Sequence, residues 1–345
     1  MALLTDFWYV VAESKDVKEN KVVSAFLDGQ WLAIYRDAKG TATVVLDKCL
    51  HRNARLSKGR VANGELICPY HGWKYGAQGC LKAIPSEGES FQTKPQRSLV
   101  SFSTQEKQGY IYVRTANQPS AGYEQQTPFS LPYYDTKGYQ HVRLKHVFEA
   151  DVPNCAENFI DVPHTTFVHP GIFRYQSKPQ KIKSEVEIEH GNVHVRYLNE
   201  STNFGFFTIF LNRKRQPIYH EDHYYPPNIT HVEYRFGKRM HFNIISQSVP
   251  LSDKVTHVYT DLVYDYGIWN IFAKPFVWFV AKRIIAQDVK IMGEQCQVFK
   301  KYGPEFMSTR ADMQHVHIER IYQTLLDGGD IKIIPSRTTE VEFWL

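Results

Sequence analysis

Two sets of residues in this 345-residue chain have types and spacings suited to metal chemistry. The first is Cys49-Leu50-His51, followed sixteen residues later by Cys68-Pro69-Tyr70-His71. Two thiolates and two imidazoles can hold a tetrahedral zinc ion. They can equally hold a two-iron, two-sulfur cluster of the Rieske kind, with His51 and His71 on one iron and Cys49 and Cys68 on the other. Ligand identity does not separate these possibilities. The arrangement favours the [2Fe-2S] cluster, because each loop supplies one Cys and one His in the same order, whereas a zinc finger tends to pair like with like. Histidine ligands raise the potential of such a cluster, which suits a centre that accepts electrons and passes them on.

The second set is the run from Asn158 to His169 read together with Asp288 far downstream. His164 and His169 plus one distant carboxylate are what a facial Fe(II) site needs: two neutral nitrogens, one anionic oxygen, and positions left open for dioxygen. Alone, the histidine pair could be two polar loop residues, and the upstream cluster motif is what gives it weight. Glu294 competes with Asp288 for the carboxylate role. Six positions are about 600° of rotation at about 3.6 residues per turn, so the two carboxylates leave the helix on different faces and only one can reach the iron.

The elements that must position these residues follow from periodicity. Trp8–Val11, Val22–Leu27 and Trp31–Tyr35 read as short antiparallel strands, with Asp28-Gly29-Gln30 as a turn. The strand Gly109–Val113 closes a small β domain. Residues from about Thr115 to Pro132 are polar and proline-bearing, the composition of a linker. His141–Glu149 is the next strand, and a short helix near Ala156–Asp161 must break at Pro163. Ser184–Glu189, Val193–Tyr197, Phe206–Leu211, Thr230–Phe236, His241–Val249 and Thr256–Tyr264 then form one antiparallel sheet. A long helix from Trp269 to Tyr302 carries Asp288 and is stopped by Gly303-Pro304, a second runs from Ala311 to Leu326, and the tail is extended or loose. The expected architecture is α+β: a small all-β domain over residues 1–118, a linker over 119–132, and a domain over 133–345 whose antiparallel sheet is covered by C-terminal helices.

Composition narrows the function classes. A net charge of +5 with scattered Lys and Arg gives no basic stripe and no reading motif, which argues against nucleic-acid binding, though it is compatible with an anionic substrate. The N-terminus lacks the basic region of a secretory leader. The longest apolar run, Pro275–Ala281 between Lys274 and Lys282-Arg283, is far short of the ~20 residues that span a bilayer, so no membrane span is expected. Five cysteines, thinly spread, argue for a reducing, cytoplasmic setting. Cys80 and Cys155 have no partner at ligand spacing and read as packing residues.

On these motifs the chain resembles the Rieske non-haem iron oxygenases, in particular catalytic α subunits of the vanillate and dicamba O-demethylase type. Cys49-Leu50-His51-Arg52 and Cys68-Pro69-Tyr70-His71-Gly72-Trp73 match the cluster motif. Asn158-x-x-Asp161-x-x-His164-x-x-x-x-His169 matches the mononuclear iron motif, and Gln287-Asp288 the place of the carboxylate ligand. The match runs from about Phe7 to Glu294. The family commonly has Gly where this chain has Asn53, which requires a positive-φ turn that Asn tolerates.

The resemblance implies a [2Fe-2S] cluster with Trp73 beside it and Fe(II) held by His164, His169 and Asp288. It places Asn158 near the site without ligating. It also implies that Asp161 joins His164 to His71 of a neighbouring subunit in a head-to-tail homotrimer, giving electrons a hydrogen-bonded route. The implied activity is hydroxylation or oxidative demethylation of a small aromatic or cyclic molecule with O2. No Gly-rich nucleotide fingerprint is present, so a separate NAD(P)H-dependent reductase, with or without a ferredoxin, is expected to supply the electrons. A cis-dihydroxylating dioxygenase and a Rieske electron carrier are the alternative readings. Phe206, His241 and Asn243 are candidates for the substrate pocket.

Overall fold

The computed structural model describes residues 4–91, 97–115, 127–173, 179–199, 215–237 and 240–345. The chain divides into two compact units, Thr5–Ser130 and Leu131–Leu345, with Leu4 assigned to the second. Of the expected linker, residues 119–126 lie outside the described residues.

The first unit consists of three small antiparallel sheets. β1 (Trp8–Glu13), β9 (Ser103–Lys107) and β10 (Tyr110–Arg114) form one, and β2 (Val23–Leu27), β3 (Gln30–Arg36) and β4 (Ala42–Leu46) another. Asp28 and Gly29 both take positive φ, 42° and 75°, the turn geometry that continues the natural twist of the β2–β3 hairpin. The third sheet is β5 (Arg60–Ala62), β6 (Glu65–Ile67), β7 (Lys74–Tyr75) and β8 (Leu81–Ala83). Cys49 lies just after β4, and the second Cys-His loop joins β6 to β7. Tyr35, Val45, Leu56, Leu66, Tyr75 and Leu81 form the core beneath both loops, together with the two cysteines.

The second unit is built on one eight-stranded antiparallel sheet. Its strands are β11 (Gln140–Phe148), β12 (Lys181–Glu189), β13 (Asn192–Tyr197), β14 (Ile218–Tyr225), β15 (Ile229–Phe236), β16 (Met240–Ser252), β17 (Val255–Asp265) and β18 (Arg337–Trp344), in the order β11-β17-β16-β15-β14-β13-β12-β18. The tail takes the extended of its two expected forms: as β18 it pairs with β12 along its length and forms the sheet edge. β14 was not expected, because Tyr219-His220-Glu221-Asp222-His223 contains no apolar alternation to betray a strand. The expected strand Phe206–Leu211 lies outside the described residues.

Among the described residues four α-helices accompany this sheet: α1 (Val152–Ile160), α2 (His164–Phe167), α3 (Asn270–Tyr302) and α4 (Met313–Leu326). α1 begins at Asp151, whose side chain accepts the Asn154 N–H at 3.1 Å, and ends at Asp161, where the backbone turns extended ahead of Pro163. It packs on β15 and β16, whereas α3 packs on β11. Gly303 ends α3 in a positive-φ conformation.

Candidate active site

The two Cys-His loops share one backbone design. The Cys49 carbonyl accepts the N–H of Asn53 at 3.0 Å, and the Cys68 carbonyl accepts that of Gly72 at 3.2 Å. The residue four beyond each cysteine takes positive φ, 57° at Asn53 and 68° at Gly72, so Asn53 fills the role expected of it. Asp47 braces the first loop, accepting the Ser57 N–H at 2.6 Å and the Arg55 guanidinium at 2.9 Å.

Both cysteines are buried, and both histidines are exposed with ring centroids 4.4 Å apart. Trp73 stacks on His51 at 4.9 Å and 3°. The Tyr75 hydroxyl, not singled out in the sequence, lies 3.1 Å from the Cys49 sulfur. Burial, then the neighbouring Cys49, pushes that hydroxyl's pKa far up, so it stays protonated and donates to the sulfur. Among the described residues, these four ligand candidates do not form a group whose ligand atoms all lie within 4.8 Å of one another. Buried sulfurs at one end and exposed imidazoles at the other fit a cluster with an iron at each end, and not a lone zinc ion.

His164, His169 and Asp288 do form such a group. His164 Nδ1 points at Asp161 Oδ2 at 3.2 Å, and the same oxygen accepts the His164 backbone N–H at 3.1 Å. His169 Nδ1 donates to Gln287 Oε1 at 3.0 Å. With protons on both Nδ1 atoms, the Nε2 lone pairs are left facing Asp288 Oδ1, at 3.7 Å from His164 and 3.0 Å from His169. That carboxylate oxygen is buried and, among the described residues, has no hydrogen-bond partner despite the short contact. Three acceptors facing one another with no proton between them fit a cation. Burial opposes the charged form of His164, yet Asp161 and then Asp288 raise its pKa above the ordinary value, a further sign of surplus negative charge. Glu294 is more than half exposed and takes no part.

A cavity of about 140 Å³ adjoins these three residues, walled by α1, α3 and one face of the sheet. Asn158 lines it, and its Oδ1 is a buried acceptor without a partner among the described residues. His220 and Asp222 also line it and were missed in the sequence. Asp222 accepts from His220 Nε2 and from the Tyr197 hydroxyl, both at 3.0 Å, while Tyr197 and Tyr234 stack on the imidazole at 4.2 and 4.1 Å. Their signal was the His-x-Asp step, which puts both side chains on one face of a strand.

Two pocket candidates are corrected. His241 and Asn243 lie on the opposite sheet face, where His241 Nε2 meets Glu233 at 2.8 Å and Asn243 Oδ1 meets His231 Nε2 at 3.0 Å. Their neighbours Phe242 and Ile244 line the cavity instead. Phe206 lies outside the described residues. His194, Glu221 and His223 form a second close group on that opposite face. Its two imidazoles are stacked at 4.3 Å and 7°, so their in-plane lone pairs do not converge on one ion.

A two-centre fold of this kind defines a Rieske-type oxygenase. Residues 7–102 match the Rieske [2Fe-2S] domain, and residues 148–328, more than half the chain, match the vanillate O-demethylase oxygenase C-terminal domain. The chain belongs to that family. It is 31% identical over 173 residues to chlorophyllide a oxygenase of Oryza sativa, covering 49% of this chain and 30% of that protein. It is 28% identical over 162 residues to the vanillate O-demethylase oxygenase subunit of a Pseudomonas strain, covering 47% and 44%. The alignments thus span less than half the length of these relatives. Dicamba monooxygenase bound to dicamba superimposes with a TM-score of 0.81 at 18% identity, over 95% of this chain and 99% of that one, and so shares the fold.

Proposed function

We propose that this chain is the oxygenase component of a Rieske monooxygenase that hydroxylates or oxidatively demethylates a small cyclic molecule, using O2 and electrons from a separate NAD(P)H-dependent reductase. The observation that carries this reading is the convergence of two Nε2 lone pairs on an unpartnered Asp288 oxygen beside an apolar cavity. When bound, iron supplies dioxygen reduction and the [2Fe-2S] cluster supplies electrons one at a time.

The remaining work falls to the protein. His164, His169 and Asp288 would hold the ion, while Asp161 and Gln287 fix the two imidazoles by accepting hydrogen bonds from their Nδ1 atoms. Phe242, Ile244, Leu262, Val280 and Ile284 exclude water from the cavity. At about 140 Å³ it has the size of a cavity that accepts a single ring. Among the described lining residues there is no Lys or Arg, and Asp161, Asp222 and Asp288 already bring negative charge. Those described residues offer a buried substrate carboxylate no side-chain cation, which favours an uncharged molecule.

The electron route we infer runs from His71 of one chain to Asp161 and His164 of the next, in a head-to-tail homotrimer working in the cytoplasm. Support comes from the exposure of His71 and from two aromatic residues beside the motifs, Tyr70 at 65% and Phe167 at 70%, exposed as surfaces awaiting a partner. The test is a single turnover: reduced protein mixed with ¹⁸O2 and a panel of methoxylated or N-methylated rings. Labelled product, with formaldehyde where a methyl group is lost, supports the reading. Oxidation of the cluster without labelled product from any compound refutes it in favour of an electron carrier.

A further inference from the structure

The run Pro275–Ala281, set between Lys274 and Lys282-Arg283, is apolar on both sides once folded. Its inner side, Val277, Val280 and Ala281, lines the cavity, and Asp288 follows on the same face of α3. On the outer side and the turn before it, Ile268 is 85% exposed, Ile271 82%, Phe272 73%, Phe279 64% and Trp269 60%. A helix apolar all round is normally buried all round. Large side chains this exposed and this close in sequence form a patch of the kind that marks an interaction surface.

The surrounding charge indicates what covers it. Residues 267–286 contain Lys274, Lys282 and Arg283 and no Asp or Glu. The preceding carboxylate, Asp265, is occupied by the Gly267 N–H at 2.8 Å and the Asn270 amide at 3.1 Å. Lys282 Nζ lies over the Trp278 ring at 5.0 Å, so a cation borders the apolar side chains. Contact cores between protein copies are depleted of lysine, whereas aromatic and aliphatic residues collared by Lys and Arg characterise a helix lying in an anionic bilayer surface. No described helix is long and apolar enough to cross a membrane, so the contact is superficial.

We propose that residues 268–283 dock on an anionic phospholipid surface, with the exposed Ile, Phe and Trp side chains at the headgroup–acyl boundary and the three cations on lipid phosphates. The helix that lines the cavity then rests against the phase in which an uncharged, apolar substrate concentrates.

Flotation of the full, metal-loaded chain with vesicles tests this without any activity assay. Vesicles of equal parts phosphatidylglycerol and phosphatidylcholine should carry the protein up the gradient, with partition onto pure phosphatidylcholine about a hundredfold weaker. The double variant F272S/F279S should stay at the bottom while keeping the cluster's visible absorption and the native mass by light scattering. K274E/K282E, which leaves the apolar face intact, should lose the preference for anionic vesicles. Native protein that fails to float, or variants that float like the native protein, would overturn the proposal. So would a fall in mass of F272S/F279S, since the face would then be a contact between copies.

Discussion

One oxygen of Asp161 accepts both the backbone and the ring N–H of His164, so this carboxylate sets the orientation of the proposed ligand while carrying charge of its own. Asp161→Asn keeps an acceptor of the same shape and removes the charge. Both iron centres should remain at native content in metal analysis while steady-state turnover falls roughly 10–100-fold or more; native turnover would remove Asp161 from the electron route. Tyr75 acts at the other centre. Losing one donor to the Cys49 sulfur in Tyr75→Phe should lower the cluster's reduction potential by on the order of 50 mV, read by redox titration, with the cluster still assembled. The two residues differed in legibility. Asp161 stands three residues from His164 in a local motif, whereas the partner of Tyr75 is twenty-six residues away and nothing local marks the pair.

At the scale of elements, strand parity decides which side chains meet the substrate. Phe242 and Ile244 face the cavity and Asn243 faces away, a distinction that period-two alternation cannot make when polar residues fill the buried far face. Phe242→Ala should change the apparent substrate affinity with little loss of stability. Asn243→Ala removes one hydrogen bond from His231 and one from the Val263 carbonyl and should cost about 2 kcal/mol in denaturant unfolding, with substrate affinity unchanged. The far face also sets the acid response. Burial, then the neighbouring His194 and His231, pushes His223 down to about 4, and burial with Lys145 and His146 does the same to His257. Between about pH 6.5 and 4 the unfolded chain binds protons on these rings that the folded chain refuses, so stability falls with pH by on the order of a few kcal/mol. Burial tends to raise Glu233, but His241 and Arg235 outweigh it and hold it at about 2, so its contribution is complete above the unfolded carboxylate value and fades as pH drops toward 2. Thermal melts from pH 7 to 4 check the sign: a melting point that rises on acidification would contradict it. Helices α3 and α4 were readable from apolar period and glycine stops, whereas β14 and β18 form through tertiary pairing that their polar sequences do not announce.

For the whole molecule, the account rests on two different metal centres in one chain, one in each compact unit. The most direct measurement is iron and acid-labile sulfide per chain, taken with the electron paramagnetic resonance spectrum of the dithionite-reduced protein. Three irons, two sulfides and a Rieske-type signal are predicted, with His164→Ala reducing the count to two irons while the signal persists. Two irons and two sulfides in the native protein would leave only a carrier cluster, and zinc without sulfide would contradict the account at its root.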